Sequence, residues 1–133
     1  MKKILLLFLF LFVSAQKAYC QKYMWGLPPE EISELCSNRY ELISQEVKAS
    51  YISLTYRQKP GLLVSFLFEN EHLNCIVLRA NPSLVSIKTP AGEKKTTTNG
   101  ESAWYDYEQN CMTRREYHDG LTIDFQIPIE SPQ

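Results

Sequence analysis

Histidine is scarce in this chain, with His72 and His118 the only two, and no two of its four cysteines fall at the short spacing of a zinc site. A structural zinc wants four such ligands, so no metal is expected, and no residue pattern calls for a cofactor. Beyond residue 20 the basic residues are scattered, and Lys94-Lys95 and Arg114-Arg115 are the only basic pairs. Nucleic-acid binding needs clustered positive charge, so that partner is excluded. The chain has neither a glycine-rich phosphate loop nor a Gly-x-Ser-x-Gly elbow, which removes the commonest nucleotide and hydrolase signatures. Its longest apolar run, Ile4 to Val13, is ten residues. A membrane-spanning helix needs about 20.

What is present begins with an export pattern. Lys2 and Lys3 precede the apolar run, and Ser14 to Gln21 carries small residues behind it. Charge, apolar run and small residues in that order predict a signal peptide over residues 1–20. The product is then periplasmic or secreted. Cleavage between Cys20 and Gln21 puts Ala18 and Cys20 at the small-residue positions and is the preferred cut. Cleavage after Ala15 would use Val13 and Ala15 instead. Tyr19 beside Cys20 argues against lipidation of that cysteine, so no stable membrane anchor is expected after processing.

Removing residues 1–20 takes away Lys2, Lys3 and Lys17 and no acid. Eleven basic residues then face fifteen acidic ones, a net charge of −4, which offers no pull toward an anionic membrane. The remaining 113 residues form one ordinary domain, 21–133, long enough for its own core. Cys36, Cys75 and Cys111 are candidate disulfide partners in an oxidising compartment. The cut after Cys20 leaves these three, and the cut after Ala15 leaves four.

Along the domain, Pro29 with Glu30 and Glu31 opens a helix over about 29–37, because proline suits the first turn and acids complement the dipole. Ile32, Leu35 and Cys36 recur at helical spacing. Strands follow. Tyr40 to Ile43 is a short first one. Ile52, Leu54 and Tyr56 alternate with Ser53 and Thr55. Val64, Phe66 and Phe68 share a face, as do Leu73, Cys75 and Val77, giving a three-strand meander for the helix to lie on. Leu84 to Lys88 reads as a strand and Glu93 to Glu101 as a loop. Ala103 to Tyr107 and Met112 to His118 are strands, and Asp119-Gly120 is a tight hairpin turn. Leu121, Ile123, Phe125, Ile127 and Ile129 then alternate strictly, the strongest strand signal here. With no long crossover helix, a parallel sheet is excluded. The expected fold is α+β: one short N-terminal helix packed on a mostly antiparallel sheet.

The opening Trp25-Gly26-Leu27-Pro28-Pro29-Glu30-Glu31-Ile32 resembles that of a family of small exported bacterial proteins. The same holds for Leu54-Thr55-Tyr56, Phe66-Leu67-Phe68-Glu69-Asn70, Leu73-Asn74-Cys75 and Trp104-Tyr105-Asp106-Tyr107. That family carries no assigned activity. More distantly, helix plus meander is similar to the BamE-like envelope modules, which implies a role in binding other proteins.

Three functional readings follow. The first is a non-enzymatic module that binds or scaffolds another envelope or secreted protein through its sheet face. Trp104 and Asp106 are its candidate contact residues, on the face opposite Ala103, Tyr105 and Tyr107, with the latter set buried. The second is a small thiol-dependent enzyme or hydrolase using Cys111 and His118, for which the imidazole must reach the sulfur. The third is an inhibitor or immunity-type protein. Asp106 and Glu108 lie two apart on one strand face, where paired carboxylates can do acid–base work; the outer, solvated face of a strand is the better explanation of them. The residues favour a non-enzymatic role, name no catalytic residue, and leave the oligomeric state open.

Overall fold

The computed structural model describes residues 22–130. The expected signal peptide and its cut between Cys20 and Gln21 lie outside the described residues. Among the described residues there is one helix, α1 (Pro29–Cys36), which follows a short lead-in and has Pro28 at its N-cap position. Proline there costs nothing because the first helical amides have no intrahelical partner. Eight residues are too few for a helix to persist alone. Burial of Ile32, Leu35 and Cys36 holds it. The lead-in is anchored as well. Met24 and Trp25 are buried, and Gly26 and Leu27 exchange backbone hydrogen bonds of 2.9 Å with Leu73.

Eight strands make one antiparallel sheet: β1 (Glu41–Val47), β2 (Ile52–Lys59), β3 (Leu62–Glu69), β4 (His72–Ala80), β5 (Glu93–Thr96), β6 (Ser102–Asp106), β7 (Cys111–His118) and β8 (Leu121–Ile127). Their order is β1-β2-β3-β4-β8-β7-β6-β5. Strands therefore occupy 51% of the described chain against 7% for the helix, so the α+β expectation holds coarsely and the architecture leans to all-β. The helix, moreover, does not open the chain, since Lys22–Pro28 precede it.

Directly opposed residues in an antiparallel sheet share a face. The pairs Leu54↔Phe66 and Phe66↔Ile76, with Tyr56↔Val64 and Val64↔Leu78, mark the side that α1 covers. These side chains, with Phe68, Leu73, Cys111 and the lead-in and helix residues, form the main core. Tyr56 meets Phe66 edge-on, with ring centroids 6.0 Å apart. Each of these large side chains contributes about 1.5–3 kcal/mol by leaving water. A second, smaller core of Leu62, Ala80 and Val85 lies on the same side. There the β4–β5 connection crosses the sheet. Leu84 sits so close to Gly61 that a Cβ on that glycine would lie 2.7 Å from the Leu84 Cβ.

Several expectations are corrected. The Leu84–Lys88 segment is not a strand but a turn and crossing loop, begun by Asn81, whose Oδ1 accepts the Ser83 amide and whose carbonyl accepts those of Leu84 and Val85. Conversely, the polar Glu93–Glu101 stretch contains β5. All four β5 residues are exposed at the sheet edge, so no apolar alternation was needed to place them. The first strand is longer than Tyr40–Ile43 and exposed throughout. A bulge between Leu67 and Phe68 pairs Cys75 with Leu67 but Leu73 with Phe68. Leu73 therefore faces the helix, while Cys75 and Val77 face away. The Asp119-Gly120 turn is as expected, with φ of 53° and 77°, the geometry of a type I′ hairpin.

Candidate functional site

The side of the sheet turned away from α1 carries an apolar band that, among the described residues, no helix or loop covers. Its members follow from register. Leu67 opposes Cys75, Val77 opposes Phe125, Met112 opposes Ile127, and Tyr105 opposes Met112. Leu63 and Ile123 extend it, each opposed to Arg79. None of these side chains belongs to either core cluster. All are half-buried by their strand neighbours, except Ile127, which is exposed. The helix, the lead-in and the crossing loop all lie on the other side, so the band faces outward.

Polar groups on this side frame the band. Arg79 Nη2 donates to Ser65 Oγ at 3.2 Å, and Ser65 shares a 2.8 Å hydrogen bond with Thr55. Arg114 places its guanidinium 5.9 Å from the Phe125 ring centre. The same Arg114 pairs with Glu116 at 3.2 Å, and Glu116 with His118 at 2.7 Å. The His118 hydrogen bond, more than the Arg114 charge, draws the Glu116 carboxyl below its ordinary range. At the far edge Tyr105 and Tyr107 stack with centroids 6.1 Å apart. Lys95 lies 4.9 Å from the Tyr105 ring centre and donates to the Tyr107 hydroxyl at 2.8 Å. That hydrogen bond, first among several causes, raises the Lys95 pKa. An apolar centre with arginine and tyrosine at its margin is the composition of a protein contact surface.

Tyr105 and Tyr107 were expected to be the buried set of their strand. Instead Tyr105 is half-buried on the open side, and Tyr107 is 56% exposed just past the strand end. Trp104 and Asp106 stand on the helix-bearing side, opposite Thr113 and Cys111. Both are half-buried, with Lys94 5.6 Å from the Trp104 ring centre and Asp106 accepting the Gln109 amide at 3.3 Å. Glu108 falls in the turn after β6, so it does not share a strand face with Asp106.

Cys111 and His118 are not brought together. They end the same strand, seven residues and about 24 Å apart at 3.4 Å per residue. Cys111 is buried on the helix side and is engaged in a disulfide, so it is no free nucleophile. Cys36 and Cys75 are free thiols, and burial raises the pKa of both, that of Cys36 to about 12. A thiol so held is a poor nucleophile. Among the described residues no group of three or more His, Cys, Asp or Glu is placed to hold a metal, and no helix is long and apolar enough to cross a membrane.

A shallow cleft of about 140 Å³ lies on the helix side between the crossing loop and β7, lined in part by Ala80, Val85, Arg115, Tyr117 and Thr122. Arg115 is already committed there. It forms a fork with Asp124, Nε to Oδ1 at 2.7 Å and Nη2 to Oδ2 at 2.9 Å, and Nη2 also donates to the Lys88 carbonyl at 2.7 Å. The cleft is smaller than the roughly 300 Å³ at which small-molecule sites begin. The open face is the stronger candidate.

No family model, no curated protein and no solved structure matches this chain.

Sequence reasoning passed over Leu67, Val77, Met112 and Phe125 as contact residues. One signal was available: β3 carries apolar residues of both parities, Leu63 and Leu67 beside Val64, Phe66 and Phe68. A strand greasy on both faces in a sheet with one covering helix leaves one apolar face outside.

Proposed function

We propose that this protein is a non-enzymatic module of the exported space that binds another protein through the open face of its sheet. The observation that carries the reading is the outward apolar band running through Leu67, Val77, Met112 and Phe125, framed by Arg79 and Arg114. Large side chains of this kind cost free energy in water and gain it back on being covered. Monomeric domains seldom leave a contiguous apolar patch without a use for it. The protein's own crossing loop lies on the other side and does not compete for the face.

The test is positional. A photo-crosslinking amino acid is placed singly at Val77, Met112 and Phe125, and at Glu34 and Leu84 on the helix side, in cells making the full chain. The expected result is one discrete protein adduct from the three open-face positions and none from the two controls. Adducts from the control positions alone, or none from any, would refute the assignment.

A further inference from the structure

We infer that copies of this chain add edge to edge, β1 of one pairing with β5 of the next to continue a single antiparallel sheet. Among the described residues, no strand pairs with the outer side of either. Every residue of both strands is exposed. An open edge carries a row of backbone donors and acceptors that invites another strand. β1 does little to deter one. Its seven residues include no proline and no lysine, and Val47 is 70% exposed. Its bulge lies between Leu42 and Ser44 and leaves Ser44 to Val47 regular.

Direction, hydrogen-bond phase and face all match between the two edges. All neighbours in the eight-strand order are antiparallel, so β1 and β5, at its two ends, run in opposite senses. A second copy set alongside in the same orientation therefore presents β1 antiparallel to β5. The Lys48 amide donates to the Tyr51 carbonyl at 2.8 Å. Lys48 and Glu46 thus turn their backbone groups toward β2, and Gln45 and Val47 turn theirs outward. At the other end the Thr97 amide donates to the Glu101 carbonyl at 2.8 Å, which makes Lys94 and Thr96 the outward residues of β5. Glu46 opposes Ser53, and Ser53 opposes Leu67, on the open side of the sheet. Lys95 reaches the same side through Ala103 and Arg114. Val47 and Lys94 belong to the helix-bearing side, through Ile52 and Trp104.

One register keeps phase and face and also joins unlike charges. It opposes Val47 to Lys94 and Gln45 to Thr96 of the neighbouring copy, and each pair exchanges two N–H···O bonds. Glu46 then meets Lys95, and Lys48 meets Glu93, two opposite-charge pairs on the open side. The smallest slip that keeps the faces is two residues. It opposes Glu46 to Glu93 in one direction and Lys48 to Lys95 in the other. Opposite charges across strands stabilise and like charges destabilise, so charge selects the first register. Lys95 already donates to the Tyr107 hydroxyl at 2.8 Å, and an ammonium carries three donors, enough to meet a carboxylate as well. Edge lysines ordinarily repel an added strand; here the acid of β1 answers them. The pairing is heterologous, so an assembly keeps a free β1 at one end and a free β5 at the other and growth continues. The copies lie side by side, so the apolar band stays open and the pairing does not rest on what that face binds.

The full chain, purified from cells that produce it, is followed by sedimentation over a wide range of concentrations, at about 0.02 M and about 0.5 M salt. Its weight-average mass should rise with concentration beyond that of one chain, and more steeply at low salt. Glu46→Lys and Lys95→Glu, both at exposed positions, should each lower the association constant about tenfold by opposing like charges. The variant carrying both exchanges the charges and should recover it. Treatment of mixed unlabelled and isotope-labelled protein with a zero-length carbodiimide should link Glu46 of one copy to Lys95 of another. The mass of a single chain at every concentration would overturn the inference. So would association that neither reversal weakens, a double variant no better than the single ones, or a link between copies from Glu46 to Lys48 in place of Lys95.

Discussion

Asp124 offers the sharpest test of how this sheet is held. Its carboxylate is 6% exposed, and the Arg115 side chain that grips it with two hydrogen bonds is 11% exposed. The Asp124 hydrogen bond is the main reason the Arg115 guanidinium is held even more firmly charged than usual. Asp124→Ala leaves that buried cation without its counter-charge. Breaking one side of a buried pair costs about 3–5 kcal/mol, a large share of the about 5–15 kcal/mol that holds a domain of this size. Asp124→Asn is expected to recover only part of this, because its Oδ1 can still accept from Arg115 while its NH2 meets a second donor and the counter-charge is gone. Replacing both partners together, Arg115→Met with Asp124→Leu, removes the desolvation cost of both charges and should return stability to within about 1–2 kcal/mol of the parent. Urea unfolding followed by the fluorescence of Trp25 and Trp104 measures all three. Arg115 also holds the Lys88 carbonyl, so Asp124→Ala should speed tryptic cleavage after Lys88. A loss below about 1 kcal/mol for Asp124→Ala, or a double variant as unstable as the single one, would refute the reasoning.

Glu71 sits at φ 64° in the β3–β4 turn, a left-handed conformation that costs a side chain about 1–2 kcal/mol. Glu71→Gly should raise the urea midpoint by the equivalent of about 0.5–1 kcal/mol after the entropy of glycine is subtracted, and a lower midpoint would contradict this. The Cys36 thiol is pushed up to about 12, with burial the cause and Arg39 opposing it. The folded protein thus keeps a proton that the unfolded chain releases above about pH 9, so stability falls between about pH 9 and pH 12, by at most about 1.4 kcal/mol per unit. Tyr56, also raised by burial, adds the same sign, so Cys36→Ala should flatten the melting temperature against pH in part; an unchanged curve would show the thiol is not so held. On the native protein at pH 8, Cys36 should resist iodoacetamide, and rapid labelling would count against its burial.

Much of the local structure could be read from residue order, because local structure answers to local patterns. Pro29, Glu30 and Glu31 ahead of Ile32 and Leu35 mark the helix to within a residue of where it ends. Period-two alternation marks β2, β3 and β8, and Asp119-Gly120 marks its turn. The misses have physical causes. β5 has no buried face, so nothing in Glu93-Lys94-Lys95-Thr96 had to alternate. The bulge at Leu67 and Phe68 inverts the faces of Cys75 and Val77 relative to Leu73, and a bulge leaves no trace in hydropathy.

By itself, the sequence determined that this chain carries an antiparallel, strand-rich domain with one short helix, without metal, phosphate-loop or serine-elbow signatures. Those follow from residue types and spacings. Which side of each strand is covered was decided by the tertiary structure. Leu121, Ile123 and Phe125 alternate as a core strand should, yet they face away from the helix, and the polar Thr122, Asp124 and Gln126 are the buried set. Alternation states that a strand has two faces. Only the placement of α1 and of the crossing loop on one side of the sheet determines which face is interior and which is left open.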